Sequence, residues 1–93
     1  MPYQVKLHRE VAKTLSGMSP QLRCRIVEKL HLLEENPYEP RPGVDIARLK
    51  GTRGRVDLFR LRVGDFRVIY LVDGEVVYVT GLFHRGKGYI RLP

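Results

Sequence analysis

The chain has 93 residues, 43% of them hydrophobic and 29% charged, which is the size and balance of one small globular domain spanning residues 1–93 and excludes disordered and fibrous classes. A single cysteine excludes an intrachain disulfide framework, and the longest apolar run, Val68 to Val72, is far short of the roughly 20 residues of a membrane helix. The net charge of +7 is unevenly spread: residues 1–47 hold seven Lys/Arg against six acids, residues 48–93 ten against four. A basic half points to a polyanion, meaning nucleic acid, an anionic membrane surface or an acidic protein. The opening MPYQVKLHRE has no apolar core of a signal peptide, so a soluble, cytoplasmic protein is expected.

Tyr3 to Leu7 alternates apolar and polar residues with the period of a short strand. Residues 9–17 read as a short helix carrying Val11, Ala12 and Leu15. Ser19 followed by Pro20 marks a second helix start, an N-cap hydroxyl before a proline whose missing N–H costs nothing there. Leu22, Ile26, Leu30 and Leu33 then form one stripe, and Pro37 requires the helix to end by Asn36. After a Pro-rich loop over 37–43, only strand patterns follow: 46–50, 55–63, 66–72 and 75–83, with turns at Gly64-Asp65 and Asp73-Gly74. The fold class is therefore α+β, an N-terminal strand and a helical hairpin packed on one face of an antiparallel sheet meander.

A two-residue turn at 64–65 fixes the register of the strands on either side of it. Val63 faces Phe66, Arg62 faces Arg67, Leu61 faces Val68 and Arg60 faces Ile69. Phe59, Leu61, Val63, Phe66, Val68 and Tyr70 then share the core face, and Arg60, Arg62 and Arg67 share the other. Carried through the next turn, the same count places Val77, Val79, Gly81 and Phe83 inward, with Val76, Tyr78, Thr80, Leu82 and His84 on the arginine side. Arg62 opposite Arg67 is a like-charge pair, which costs stability; this favours a polyanion site over the alternative, a solvated face on which arginine stems cover Leu58, Ile69 and Tyr78.

His8, His31 and Cys24 are scattered, no metal-ligand spacing or dinucleotide fingerprint occurs, and neither a metal nor a cofactor is expected. The basic segment Gly51–Arg55 reads as a turn. His84, Arg85, Lys87 and Tyr89 instead cluster where the last strand ends. RNA cleavage by attack of a 2′-hydroxyl needs a proton acceptor, cations for the pentavalent phosphorane and a donor for the leaving 5′-oxygen. Such residues can supply all three without a metal; they equally suit simple RNA binding.

Leu49-Lys50-Gly51, the run Leu58-Phe59-Arg60-Leu61-Arg62-Val63-Gly64-Asp65-Phe66-Arg67-Val68-Ile69-Tyr70, and the ending His84-Arg85-Gly86-Lys87-Gly88-Tyr89 resemble the RelE/ParE toxin superfamily of toxin–antitoxin modules, most closely the archaeal-type RelE proteins. The resemblance covers nearly the whole chain. It implies a ribosome-dependent, metal-independent mRNA endonuclease that enters the ribosomal A site and is silenced by an acidic antitoxin. By position it implies catalytic roles for Arg60, Arg67, Arg85 and Tyr89, with Lys50, Arg62 and Lys87 in the surrounding RNA-binding patch. Where the RelE pattern carries a lysine two positions before the first strand cation, this chain has Leu58; His84 is the candidate replacement base, with Lys50 and Tyr89 as alternatives. The ParE branch of the superfamily inhibits DNA gyrase and cuts nothing, and a non-catalytic RNA-binding domain is the third reading.

Overall fold

A computed structural model of the chain describes residues 3–49, 57–85 and 89–90. In chain order the elements are β1 (Gln4–Leu7), α1 (Arg9–Ser16), α2 (Pro20–Leu32), β2 (Asp45–Arg48), β3 (Leu58–Val63), β4 (Phe66–Asp73), β5 (Val76–His84) and β6 (Tyr89–Ile90). Local chemistry sets the helix ends. The His8 ring nitrogen Nδ1 accepts from the Glu10 N–H at 3.0 Å and caps α1, which gives this histidine a structural role. Ser19 Oγ accepts from the Leu22 N–H, and Pro20 opens α2, as the sequence predicts. Past the end of α2, Arg41 donates to the Leu32 carbonyl at 2.8 Å and to the carbonyls of Asn36 and Glu39. A cation there satisfies carbonyls that the helix leaves without partners.

The sheet order is β1-β5-β4-β3-β2, with β6 pairing the far end of β5. The helical hairpin carries the chain from the β1 edge across the core face to the β2 edge, and the antiparallel meander β2 to β5 walks back. It returns beside β1, where β1 and β5 run parallel, so the sheet is an antiparallel meander with one parallel edge pair. The outer edge of β5 is shared: β1 pairs with Val76–Val79, and β6 pairs with Leu82 and Phe83. The tail expected to be loop-like therefore contributes a strand at Tyr89. No helix among the described residues is long and apolar enough to cross a membrane.

Val11 and Leu15 of α1 and Ile26 and Leu30 of α2, with Leu33 just beyond it, pack on Phe59, Leu61, Val63, Val68, Tyr70, Val77, Val79 and Leu82, all buried. Ala12, read with the apolar side of α1, is exposed. Tyr70 is wholly buried, stacked on Phe59 at 5.5 Å between ring centroids, and its hydroxyl donates to the Pro37 carbonyl at 2.6 Å. That bond ties the loop after α2 to the middle of the sheet.

The β3–β4 hairpin has the predicted register at every pair from Arg60–Ile69 to Val63–Phe66, and Gly64 takes the positive φ (59°) that its two-residue turn requires. The second turn differs by one residue: Asp73 pairs with Val76, so the turn residues are Gly74, at φ 61°, and Glu75. This shift preserves the faces, because it moves the pairing by an even number. A second departure does not. Ile69 pairs with Gly81 while Tyr70 pairs with Val79, leaving Thr80 as a bulge residue that bonds through Oγ1 to the Ile69 carbonyl at 3.4 Å. Beyond it the alternation is inverted relative to the sequence-based count, and the expected places of Leu82, Phe83 and His84 are corrected accordingly. Leu82 is in the core, Phe83 faces Arg67, and His84 pairs with Phe66.

Candidate RNA-binding face

The face of the sheet turned away from the helices carries the arginines where the hairpin count places them. Across the sheet one row reads Asp45, Arg62, Arg67, Phe83, and Tyr89 holds the register position opposite Phe83. The neighbouring row reads Ala47, Arg60, Ile69, Gly81. Arg62 and Arg67 are exposed; Arg60 lies lower, its side chain 19% accessible, with Nη2 at 3.5 Å from Asp45 Oδ1. Leu58, Ile69 and Leu71 are half-buried on this face and Tyr78 is exposed, so the cations stand on a largely apolar floor with one carboxylate, Asp45, at its edge.

Asp45 moderates the like-charge cost noted in the sequence. It stands opposite Arg62 and pairs with Arg60, so two of the three arginines have a carboxylate beside them and Arg67 is the one farthest from it in the row. Sequence reasoning did not single out Asp45. The long connection between β2 and β3 gives no turn from which to count register, but Ile46, buried inward, implies by alternation that Asp45 and Ala47 face outward.

Arg85 is exposed just past β5, and its backbone N–H donates to the Asp65 carbonyl at 2.8 Å. This bond fixes the exit of β5 onto the β3–β4 turn, near the Arg62–Arg67 row. His84 is corrected most. The sequence count put it with Arg60 and Arg67; the bulge puts it on the opposite face, its ring edge-on to Phe66 at 4.7 Å between centroids. The signal that could have found this is Gly81, an isolated glycine inside a strand pattern, which often marks a bulge. Lys50 and Lys87, expected in the RNA-binding patch, lie outside the described residues.

Among the described residues, no three His, Cys, Asp or Glu side chains gather as metal ligands. Cys24 is exposed on α2. An apolar groove between β1 and α2, lined by Val5, Leu7, Val27, Leu30, His31 and Glu34, lies on the helical side, away from the arginines. The face is thus suited to hold phosphates by fixed guanidinium charge over an apolar surface.

Residues 5–89 match the family described as the ParE toxin of the type II toxin–antitoxin system parDE. A protein named RelE1 from Methanocaldococcus jannaschii is 32% identical over 91 residues, covering 96% of this chain and 97% of that protein. The crystal structure of an archaeal RelE–RelB complex from Pyrococcus horikoshii superposes with a TM-score of 0.78 at 39% identity, over 95% of this chain and 100% of that one. The RelB–RelE antitoxin–toxin complex from Methanococcus jannaschii shares the fold, with a TM-score of 0.66 at 21% identity over 86% of this chain and 90% of that one.

Proposed function

Because this chain belongs to the ParE toxin family and is a RelE-like toxin of a type II toxin–antitoxin system, we propose that it is a ribosome-dependent endoribonuclease that cuts mRNA in the A site without a metal ion. The observation that carries the reading is the open arginine face: Arg60, Arg62 and Arg67 side by side on an apolar floor, with Arg85 tied to the adjoining turn. Three arginines on one open face, two of them directly opposite each other across the strands, suit the phosphates of a nucleic acid.

In this mechanism the mRNA 2′-hydroxyl loses its proton, its oxygen attacks the adjoining phosphorus, and the bond to the 5′-oxygen breaks as that oxygen takes up a proton. The products are a 2′,3′-cyclic phosphate and a 5′-hydroxyl. Arg60, Arg67 and Arg85 supply fixed charge to the phosphorane, and Arg62, Lys50 and Lys87 hold flanking phosphates. His84 stands on the opposite face, which favours Tyr89 or Lys50 over it for proton transfer.

The partner that silences the toxin is an antitoxin with an acidic segment. Two similar structures are RelE–RelB complexes, and the basic half of this chain complements acidic side chains.

Adding the purified protein to translating ribosomes and mapping mRNA ends tests the reading. Cleavage at A-site codons that leaves 2′,3′-cyclic phosphate and 5′-hydroxyl ends is expected, with Arg67→Ala and Arg60→Ala each slowing it about 100-fold or more, the scale of losing one transition-state donor. Intact mRNA with inhibited gyrase would instead establish ParE-type action, and intact mRNA with bound RNA a non-catalytic binding domain.

A further inference from the structure

The two arginine rows hold a single carboxylate, Asp45. It sits on β2, the last strand of the sheet path, directly opposite Arg62, yet its Oδ1 reaches diagonally to Arg60 Nη2 at 3.5 Å. The Asp45 side chain is 55% accessible against 19% for Arg60, so the carboxylate is far more open to solvent than the cation it pairs with. Among the described residues Oδ1 makes that one side-chain contact and Oδ2 makes none.

An acid in this place works against binding, because it repels the phosphates that its neighbours attract, and an exposed ion pair returns only about 0–1 kcal/mol. Orienting Arg60 needs no charge: an amide oxygen accepts the same hydrogen bond. What only the carboxylate adds is an open, negatively charged oxygen able to take a proton. We propose that Asp45 is the general base of this site, its open oxygen accepting the proton of the mRNA 2′-hydroxyl while Arg62 and Arg67 hold the adjoining phosphate. The inference rests on the RNA-cutting reading above and supplies the proton acceptor that His84, on the opposite face, does not.

As the proton passes to the carboxylate, the 2′-oxygen forms its bond to phosphorus. The bond to the 5′-oxygen breaks, and Tyr89 or Lys50 gives that oxygen its proton. Asp45 leaves the step as a carboxylic acid and releases the proton to water, which also restores the donor. In-line displacement sets the entering and leaving oxygens on opposite sides of phosphorus. The row has that order: Asp45 at one end, Arg62 and Arg67 next to it, and the register position of Tyr89 at the other end.

Two measurements separate proton transfer from support of Arg60. Single-turnover cutting of mRNA on ribosomes gives the rate of the step at saturation. Kd for ribosomes carrying a 2′-O-methyl A-site codon, which cannot be cut, gives binding. Asp45→Asn keeps an oxygen for Arg60 and removes the charge and the proton acceptor. It is expected to slow cutting roughly 100- to 10,000-fold, the share supplied by general base catalysis, with Kd unchanged or lower. Asp45→Glu restores a carboxylate on a longer stem and is expected to cut at least about tenfold faster than Asp45→Asn. Asp45 is exposed, so both variants are expected to fold as the unmodified protein does.

A loss below about 100-fold in Asp45→Asn, a Kd raised in proportion to the loss of rate, or equal rates for the two variants would each overturn the role of Asp45. The nuclease reading would still stand, provided the unmodified protein cuts. Failure of the unmodified protein to cut ribosome-bound mRNA would overturn the nuclease reading, and this inference with it.

Discussion

At the scale of single residues, the buried Tyr70 hydroxyl and the exposed arginines make opposite demands. Tyr70 is enclosed by apolar neighbours and donates its one proton to the Pro37 carbonyl. Removing that hydroxyl in Tyr70→Phe leaves a carbonyl without its donor, at a cost of about 1–3 kcal/mol measurable by urea unfolding. Burial pushes the phenol pKa well above its ordinary value near 10, against a smaller opposing influence from Arg41. A group whose pKa is raised in the folded state contributes fully below its unfolded pKa and loses that contribution as pH climbs above it. The advantage of the unmodified protein over Tyr70→Phe is therefore expected to hold to about pH 10 and then shrink; a constant difference up to pH 11 would contradict the buried-phenol account. Arg62 and Arg67 bury little, so Arg62→Ala is expected to leave the core intact. It relieves the charge repulsion with Arg67 and gives up an opposing attraction to Asp45, so its effect on stability is within about 0.5 kcal/mol. Any loss it shows belongs to RNA binding.

Among the elements, β5 decides what the surface presents. Deleting Thr80 is expected to be tolerated, because the shortened strand alternates regularly from Val79 through Leu82, keeping Leu82 inside and Phe83 outside. The loss is about 0.5–1.5 kcal/mol for the bond to the Ile69 carbonyl. Deleting Tyr78, in the regularly paired part of the same strand, turns one side of the cut over and is expected to unfold the protein. Equal damage from the two deletions, read by circular dichroism, would argue against the bulge. This contrast also shows where the sequence was legible. The β3–β4 hairpin could be counted residue by residue because a two-residue turn leaves no freedom, and the stripe on α2 and its Ser19-Pro20 start follow from period and capping alone. Counting alternation misplaces His84 because a bulge shifts parity without changing hydrophobic content, and the same count makes Gly81 an ordinary inward position. The parallel β1–β5 pairing could not be counted either, since nothing local links strands so far apart in the chain. The catalytic roles proposed for these residues follow only from the resemblance; charge and spacing point to a polyanion without choosing between binding and cutting.

For the molecule as a whole, the division of labour is between two faces of one sheet, helices and core on one side and guanidinium groups on the other. Charge held on an open face is read through salt. Affinity for programmed ribosomes is expected to fall linearly on a double-logarithmic plot against salt concentration, and Arg67→Ala is expected to lower that slope by roughly 1, about one phosphate contact. An unchanged slope would remove Arg67 from the phosphate contacts. The pairing of β1 with β5 has a temporal meaning as well. Synthesis proceeds from the N-terminus, so β1 emerges first and has no sheet partner until the fifth strand has followed it, and its exposed Leu7 and half-buried Val5 stay uncovered meanwhile. The sheet of a growing chain therefore cannot close at its β1 edge before β5 has been made. That interval leaves an unpaired strand that a binding protein could reach before the fold closes over it.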